Sequence, residues 1–412
     1  MSDAVRSPHA DKPRLRVLIT NDTFAPEVNG NATFAAALAA GLTERGHDVH
    51  VAVPSRSNRV VGPQRETHNG QTFTVHRIYS WRWYPHPWLR FALPWRIRHH
   101  AARILDEVQP DAIHFNSHII TGRGFAVEGQ RRGIRIIGTN HFMPENLVDY
   151  TAIIPPFFMP KAIGMAWSAA DRTFVRADRM TTPTRKAAEY LESQTSVDGV
   201  LAISCGLHVD RYRPSLAPKT GNRIVFLGRV VEEKRVNELL RALARLDPDL
   251  GATVEILGGG DQLPALKQLA AQLGVSDRVR FAGFVEHEEK LEALSAAKVF
   301  AMPSIAELQS ISTMEAMASA LPVVAADAMA LPHLVHDGEN GFLFAPGDVD
   351  DLAAKLERVL RMPQDEYEAM QRESLEIVQD HDIERTLDVF ETLYRGEPVD
   401  EALVVRAKPA AS

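Results

Sequence analysis

One cysteine, Cys205, stands in 412 residues, so the chain can form no disulfide within itself and no thiolate metal cluster. A lone thiol fits a reducing compartment. Apolar runs fall far short of the roughly 20 residues that span a bilayer. The polar opening, Met1–Pro13, lacks the apolar core of a secretory leader. Positive charge is not in surplus either: 46 Lys and Arg face 53 Asp and Glu, a net −7, so global charge does not point to nucleic acid. What remains is a composition of 45% hydrophobic and 24% charged residues, that of a soluble globular protein. The length exceeds one ordinary core and suits two domains. These totals predict a cytoplasmic two-domain protein.

The order of elements repeats. Leu15–Thr20 reads as a strand, Asn21 to Gly30 as a Gly/Pro-punctuated loop, Asn31 to Gly46 as a helix and Asp48–Pro54 as the next strand, a βαβ unit. About two hundred residues later the same grammar returns. Arg223–Leu227 is an apolar strand, Gly228–Lys234 a turn, Arg235–Leu246 a helix and Thr253–Leu257 a strand ending in Gly258-Gly259-Gly260. Asp111–Ser117, Arg135–Thr139 and Arg179–Thr182 extend the first sheet; Arg278–Ala282, Val299–Met302, Val323–Ala326 and Gly341–Phe344 extend the second. The expected class is α/β with two doubly wound halves. The boundary is placed near Ser196–Asp198, giving domains at 1–197 and 198–384, with a C-terminal helix and tail at 385–412 expected to return to the first domain.

Ligands of open α/β sheets sit outside the carboxyl ends of the strands. After Val299–Met302 come Glu307, in a loop, and Glu315, about a turn and a half into the following helix. The backbone N–H groups of Gln309, Ser310, Ile311 and Ser312 open that helix and suit a diphosphate. A carboxylate beside a phosphate is unfavourable unless it has another task, such as holding ribose or sugar hydroxyls; the plainer reading makes Glu307 a helix cap and Glu315 a solvated face residue. After Arg223–Leu227, Arg229 and Lys234 offer a bidentate donor and a point charge to the same diphosphate, or are two solvated cations of a surface turn. Gly30, just before a helix, permits close backbone approach to phosphate or simply makes a tight turn. The first loop has no G-x-G-x-x-G, so a nicotinamide dinucleotide is not indicated.

Gly-Arg-x-x-x-Glu-Lys at 228–234, followed by Glu-x7-Glu at 307–315, resembles the retaining family 4 glycosyltransferases. The likeness extends to the Pro-x-x-x-Gly loop at 26–30, to Cys205–Pro214, to Val279–Val285 and to Asp337–Leu343. It implies the type B fold, two Rossmann-like domains with parallel sheets facing across a cleft. It implies further that Arg229 and Lys234 hold the diphosphate of a nucleotide sugar, Glu315 the ribose hydroxyls and Glu307 the transferred hexose. Gly30 and Gln309–Ser312 would complete the phosphate cradle, and Gly283 to Val285 would sit near the base. Two positions depart from the pattern: Asn31 and Ser310 stand where glycines are usual, and both narrow the space near sugar and phosphate. His118 matches the histidine near the transferred sugar, while His141 and Glu145 are expected at the acceptor; either histidine is otherwise an ordinary structural residue. The implied chemistry is front-face attack by the acceptor hydroxyl, the leaving diphosphate taking its proton, with no metal and no other cofactor. The Asp-x-Asp matches Asp247-Pro248-Asp249 and Asp348-Val349-Asp350 read as a turn and a helix start.

From Thr67 to Leu105 no acidic residue occurs, whereas six arginines do. Trp81, Trp83, Trp88 and Trp95 are here, four of the five tryptophans, among Tyr84, Leu89 and Phe91; prolines 85, 87 and 94 make the stretch irregular up to Trp95. Arginine with tryptophan suits anionic lipid headgroups, and suggests a lipid acceptor such as diacylglycerol or a glycolipid and a peripheral position on the inner membrane face. The Thr139–Tyr150 stretch resembles members that glucosylate diacylglycerol. The plainer reading makes Trp95, Ile97, Ala101, Ile104 and Leu105 the buried face of a helix. A soluble acceptor, such as an inositol phosphate or a secondary metabolite, and a catalytically silent sugar-nucleotide-binding protein remain as alternatives. UDP-glucose is favoured over GDP-mannose as donor.

Overall fold

The computed structural model of the chain describes residues 12–27, 29–57, 59–82, 90–142, 156–400 and 404. Val28, Trp83, Tyr84, Trp88, Leu89 and Glu145 therefore lie outside the described residues. The chain forms two compact units, residues 1–204 with 384–412, and residues 205–383.

The first unit is built on an eight-stranded sheet. Its strands are β1 (Arg16–Thr20), β2 (Asp48–Pro54), β3 (Gly62–His68), β4 (Gln71–Ile78), β7 (Ala112–Phe115), β8 (Arg135–Thr139), β9 (Arg179–Thr182) and β10 (Leu201–Ala202), with β5 (Ser80–Arg82) and β6 (Arg90–Ala92) forming a separate two-stranded ribbon. The order is β10-β9-β8-β7-β1-β2-β4-β3, parallel except for β3, which runs antiparallel to β4 at the edge. The inner strands carry the signature of a sheet covered on both faces: β7 is buried at every position and β1 at four of five. The edge strand β3 instead alternates exposed and half-buried residues. β10 pairs with β9, so the sheet continues past residue 197.

The ribbon β5–β6 pairs Trp81 with Phe91 and Arg82 with Arg90. Both ends of the stretch expected to be irregular are thus regular. In the helix that follows, Ile97–Val108, the expected residues Ile97, Ala101, Ile104 and Leu105 are buried, but Trp95 is 76% exposed. It precedes the helix, where no apolar face is formed to receive it.

The last helix, Ile383–Arg395, belongs to the first unit from residue 384 onward. Phe390 packs against Phe34 and His114. The buried Arg45 guanidinium is met by Glu384 at 2.5 Å, Asp388 at 2.8 Å and Glu391 at 2.7 Å. One cation facing three carboxylates on successive turns fixes which face of the helix is turned inward.

The second unit is a six-stranded, wholly parallel sheet of β11 (Arg223–Leu227), β12 (Thr253–Leu257), β13 (Val279–Gly283), β14 (Val299–Met302), β15 (Val323–Ala326) and β16 (Gly341–Phe344). Its order, β13-β12-β11-β14-β15-β16, is the doubly wound one with its switch point between β11 and β14. β14 and β15 are buried at every position. Asp247 and Asp348 act as read from sequence: Asp247 accepts from the Asp249 N–H in a turn, and Asp348 caps the helix Val349–Leu360.

Candidate active site

Strand order decides where polar groups can gather. At the switch point of the second sheet, β11 and β14 are neighbours whose following helices lie on opposite faces, so the loops leaving their carboxyl ends diverge and expose backbone. The loop after β11 carries Arg229 and Lys234; the loop after β14 carries Glu307 and leads into the helix Ile311–Ala318. The two loops are tied, since the Ile305 N–H donates to the Glu233 carbonyl at 3.1 Å.

The loop after β11 also lies directly on the glycine triplet that ends β12. The Val230 N–H donates to the Gly259 carbonyl at 2.9 Å. A β-carbon on Gly258 would stand 1.9 Å from the Gly228 oxygen, and one on Gly260 would stand 2.0 Å from the Val230 oxygen. Backbone meets backbone here, and a side chain has no room.

Within this frame Lys234 and Glu307 form an ion pair, with 12% and 10% of their side chains exposed. Glu307 therefore does not cap the helix. The N-cap position is Ser310, whose own side chain makes no capping bond. Its φ of 81° is a left-handed value unusual outside glycine, at the position where a glycine was expected. The serine adopts the glycine's backbone conformation, and its hydroxyl turns to Thr313 Oγ1 at 2.8 Å. Gln309, expected to offer its backbone, also uses its side chain: Oε1 accepts the Cys205 N–H at 2.8 Å. Arg229 is paired with Glu233 at 3.1 Å.

Glu315 is not a solvated face residue. It is largely buried, and its Oε1 accepts from the Tyr212 hydroxyl at 2.7 Å and from the Lys290 ammonium at 2.6 Å. Gly283, with a φ of 71°, ends β13; Val285 is half-buried, and the Phe284 ring lies over Gly259. Arg229, Lys234, Gly283, Val285, Glu307, Gln309–Ser312 and Glu315 thus all belong to the second unit, at strand carboxyl ends or on the loops and helix starts that leave them.

Of the other expected residues that are described, Gly30 and His118 follow β1 and β7 at the first unit's own switch point, and His141 follows the neighbouring strand β8. Gly30 is the first residue of the helix Gly30–Glu44, with open space beside it. Asn31 does not point into that space. Its amide is paired reciprocally with that of Asn21, at 2.9 and 3.0 Å, and also donates to the Asn116 carbonyl. His118, after β7, is buried; burial lowers its pKa to about 4, so the ring is neutral near pH 7. His141 packs on Phe34 with its centroid at 4.7 Å, and burial takes its pKa to about 3. Asp22 went unread in the sequence. Its carboxylate accepts from Ser117 Oγ at 2.5 Å, the Ile120 and Thr121 N–H groups and Thr121 Oγ1, so it caps the helix Thr121–Arg132 from another loop. Tyr212 and Lys290 were missed as well. Among the described residues, His336, Glu339 and Glu373 form a group with metal-ligand character.

Two family models match consecutive stretches of the chain. Glycosyltransferase Family 4 matches residues 28–211, and Glycosyl transferases group 1 matches residues 210–376. The chain is built of a family 4-type and a group 1 glycosyltransferase domain. Among its relatives are the D-inositol 3-phosphate glycosyltransferase of Nocardia farcinica, 36% identical over 45% of each chain, and the MMP alpha-(1->4)-mannosyltransferase of Mycolicibacterium hassiacum, 32% identical over 45% of this chain and 46% of the relative. The chain matches about half the length of these relatives. The structure of Anabaena HepE in complex with UDP-glucose aligns with 93% of this glycosyltransferase and all of its own chain, at a TM-score of 0.73 and 18% identity. That likeness establishes the type B α/β fold. Among the described residues, no helix is long and apolar enough to cross a membrane.

Proposed function

We propose that this chain transfers a hexose from a nucleoside diphosphate sugar to an acceptor hydroxyl with retention of anomeric configuration, and that residues 205–383 hold the donor. The observation carrying this reading is the Lys234–Glu307 ion pair beside a helix start whose N-cap, Ser310, makes no side-chain capping bond. An ammonium has three donors, and one goes to Glu307; two remain for a diphosphate. Arg229 supplies the second cation, and the N–H groups at 310–312 the neutral donors. Glu307, spending one oxygen on Lys234, keeps the other for hexose hydroxyls. Glu315 takes the ribose.

In the step itself the acceptor oxygen bonds to the anomeric carbon on the face from which the diphosphate departs. The bond from that carbon to the diphosphate oxygen breaks, and a diphosphate oxygen accepts the acceptor's proton. The protein contributes position and the stabilisation of negative charge growing on the leaving group. Because Arg229 and Lys234 meet that charge, turnover is expected to persist in EDTA.

UDP-glucose is the favoured donor, supported by the UDP-glucose complex of HepE, whose fold this chain shares. A lipid acceptor at an anionic surface is supported by Trp81 and Trp95, 56% and 76% exposed in the arginine-rich stretch. A soluble phosphorylated polyol is the second reading, supported by the name of the Nocardia farcinica relative. A thermal-shift panel of UDP-, GDP- and ADP-sugars tests the donor. Stabilisation by none of them refutes the donor site.

A further inference from the structure

Glu315 receives two bonds on one oxygen and, among the described residues, no bond on the other. The donors come from separate elements. Tyr212 follows the short 3-10 turn Val209–Arg211, and Lys290 sits in the helix His287–Ala296. They are 103 and 25 residues from Glu315 in sequence, so nothing local brings them to the same atom. They also hold each other: the Lys290 ammonium is 5.8 Å from the Tyr212 ring centroid, and His287 meets the same ring edge-on at 6.5 Å. Tyr212 is 8% exposed.

The chemistry of such an arrangement is selective. A glutamate on a helix has three side-chain torsions and ordinarily samples several rotamers at a cost of little energy. Two donors converging on Oε1 occupy the lone-pair positions of that oxygen and leave Oε2 as the acceptor still available. A vicinal diol, unlike a lone hydroxyl, benefits from a carboxylate whose plane is already set, because two bonds form only in one orientation. Burial raises the phenol's pKa and the Glu315 charge raises it further, so Tyr212 stays protonated and remains a donor throughout the working pH range.

From this geometry we infer that Tyr212 and Lys290 are positioning residues that orient Glu315 and thereby give the site its preference for a ribose over a 2′-deoxyribose nucleoside diphosphate. The inference rests on the reading that Glu315 receives the ribose. On that reading both residues act through Glu315 at the ribose, so their effect falls on donor affinity and not on the chemical step.

The test compares UDP with 2′-deoxy-UDP by titration calorimetry in the full-length wild type, Tyr212→Phe, Lys290→Met and Glu315→Gln. Tyr212→Phe keeps the ring in place and removes only the hydroxyl. The wild type should favour UDP by about ten-fold or more, because a buried acceptor left without its hydroxyl is costly. Glu315→Gln should nearly abolish that ratio, and Tyr212→Phe should shrink it by about three- to ten-fold with an unchanged melting temperature. Donor KM should rise in Tyr212→Phe with kcat within about two-fold. Lys290→Met, on a separate helix, should act in the same direction. If Glu315→Gln loses the preference while Tyr212→Phe and Lys290→Met keep it, the positioning role is wrong and the ribose assignment stands. If the wild type shows no preference, or Glu315→Gln retains it, the ribose assignment itself falls, and the inference with it. An equal loss of affinity for both nucleotides, together with a lower melting temperature, makes Tyr212 a packing residue only.

Discussion

Lys234 and Glu307, 73 residues apart in sequence, are joined directly in a largely buried ion pair. Neither side chain is interchangeable with a neutral one, because removing either partner leaves a shielded charge without its counterion. The pair also means that the lysine most suited to a leaving diphosphate is held in place before any ligand arrives.

Lys234→Ala is therefore expected to lower kcat/KM by the equivalent of about 2–4 kcal/mol, the size of a lost transition-state charge contact. Glu307→Gln should cost a comparable amount, and the double variant less than the sum, since both act through one contact. Steady-state kinetics on the three variants decide this. Near wild-type kcat/KM in Lys234→Ala would place the donor elsewhere.

Gly258→Ala should be poorly tolerated. Its β-carbon would stand 1.9 Å from a backbone oxygen, and the residue's φ of 136° is strained for any other side chain. The expected loss is on the order of 3 kcal/mol or failure to fold, since backbone cannot step aside as a side chain does. Gly164→Ala provides the contrast: it lies in the helix Met159–Phe174 with nothing within 4 Å, and should stabilise by about 0.5–1 kcal/mol. Thermal melts of both variants read the difference.

How legible this was in the sequence differs by element. The strands β11, β12 and β14–β16 announced themselves as short apolar runs between turns, because a strand covered on both faces has no polar alternation to confuse the reading. The hairpin β3–β4 was missed. Its edge strand, Gly-Pro-Gln-Arg-Glu-Thr-His, is polar throughout, yet Asn69-Gly70, both with positive φ, is the hairpin turn signal that was there to be used. In the site, Arg229, Lys234, Glu307 and Glu315 were visible because each closely follows a strand or opens a helix. Tyr212, Lys290 and Asp22 were not, for their partners lie on elements distant in sequence and leave no periodic trace.

Acid should weaken the first unit through its buried histidines. Burial lowers the pKa of His76 and His118 to about 4 and that of His114 and His141 to about 3. The unfolded chain binds protons at these rings from about pH 6.5 downward while the folded chain does not, so stability is full above pH 6.5 and is lost between there and about pH 3–4. Each ring contributes at most about 1.4 kcal/mol per pH unit in that window. Melting curves at pH 7.5 and 5.5 should differ by several degrees, and His76→Gln should reduce the difference; a flat profile would show that these rings protonate in place.

Trp81→Ala/Trp95→Ala should leave the melting temperature nearly unchanged, since neither indole fills the core. The same variant should bind anionic liposomes more weakly, and wild-type binding should fall between 0.1 and 1 M salt as the Debye length shrinks from about 10 to about 3 Å. Sedimentation with phosphatidylglycerol vesicles measures both. A wild type that ignores such vesicles at low salt moves the acceptor to a soluble molecule.

The place of the last helix has a consequence for how the protein is made. Arg45, Phe34 and His114 emerge early from the ribosome, but Glu391 and Phe390, which cover them, emerge only after the whole of residues 205–383. At about 5–20 residues per second those 179 intervening residues take roughly ten to forty seconds. Throughout that interval the nascent first unit carries a bare apolar strip and an uncompensated buried arginine. A stop codon between residues 345 and 383 would make that exposure permanent, so such truncated products, though they contain both sheets, should be clients of chaperones and proteases.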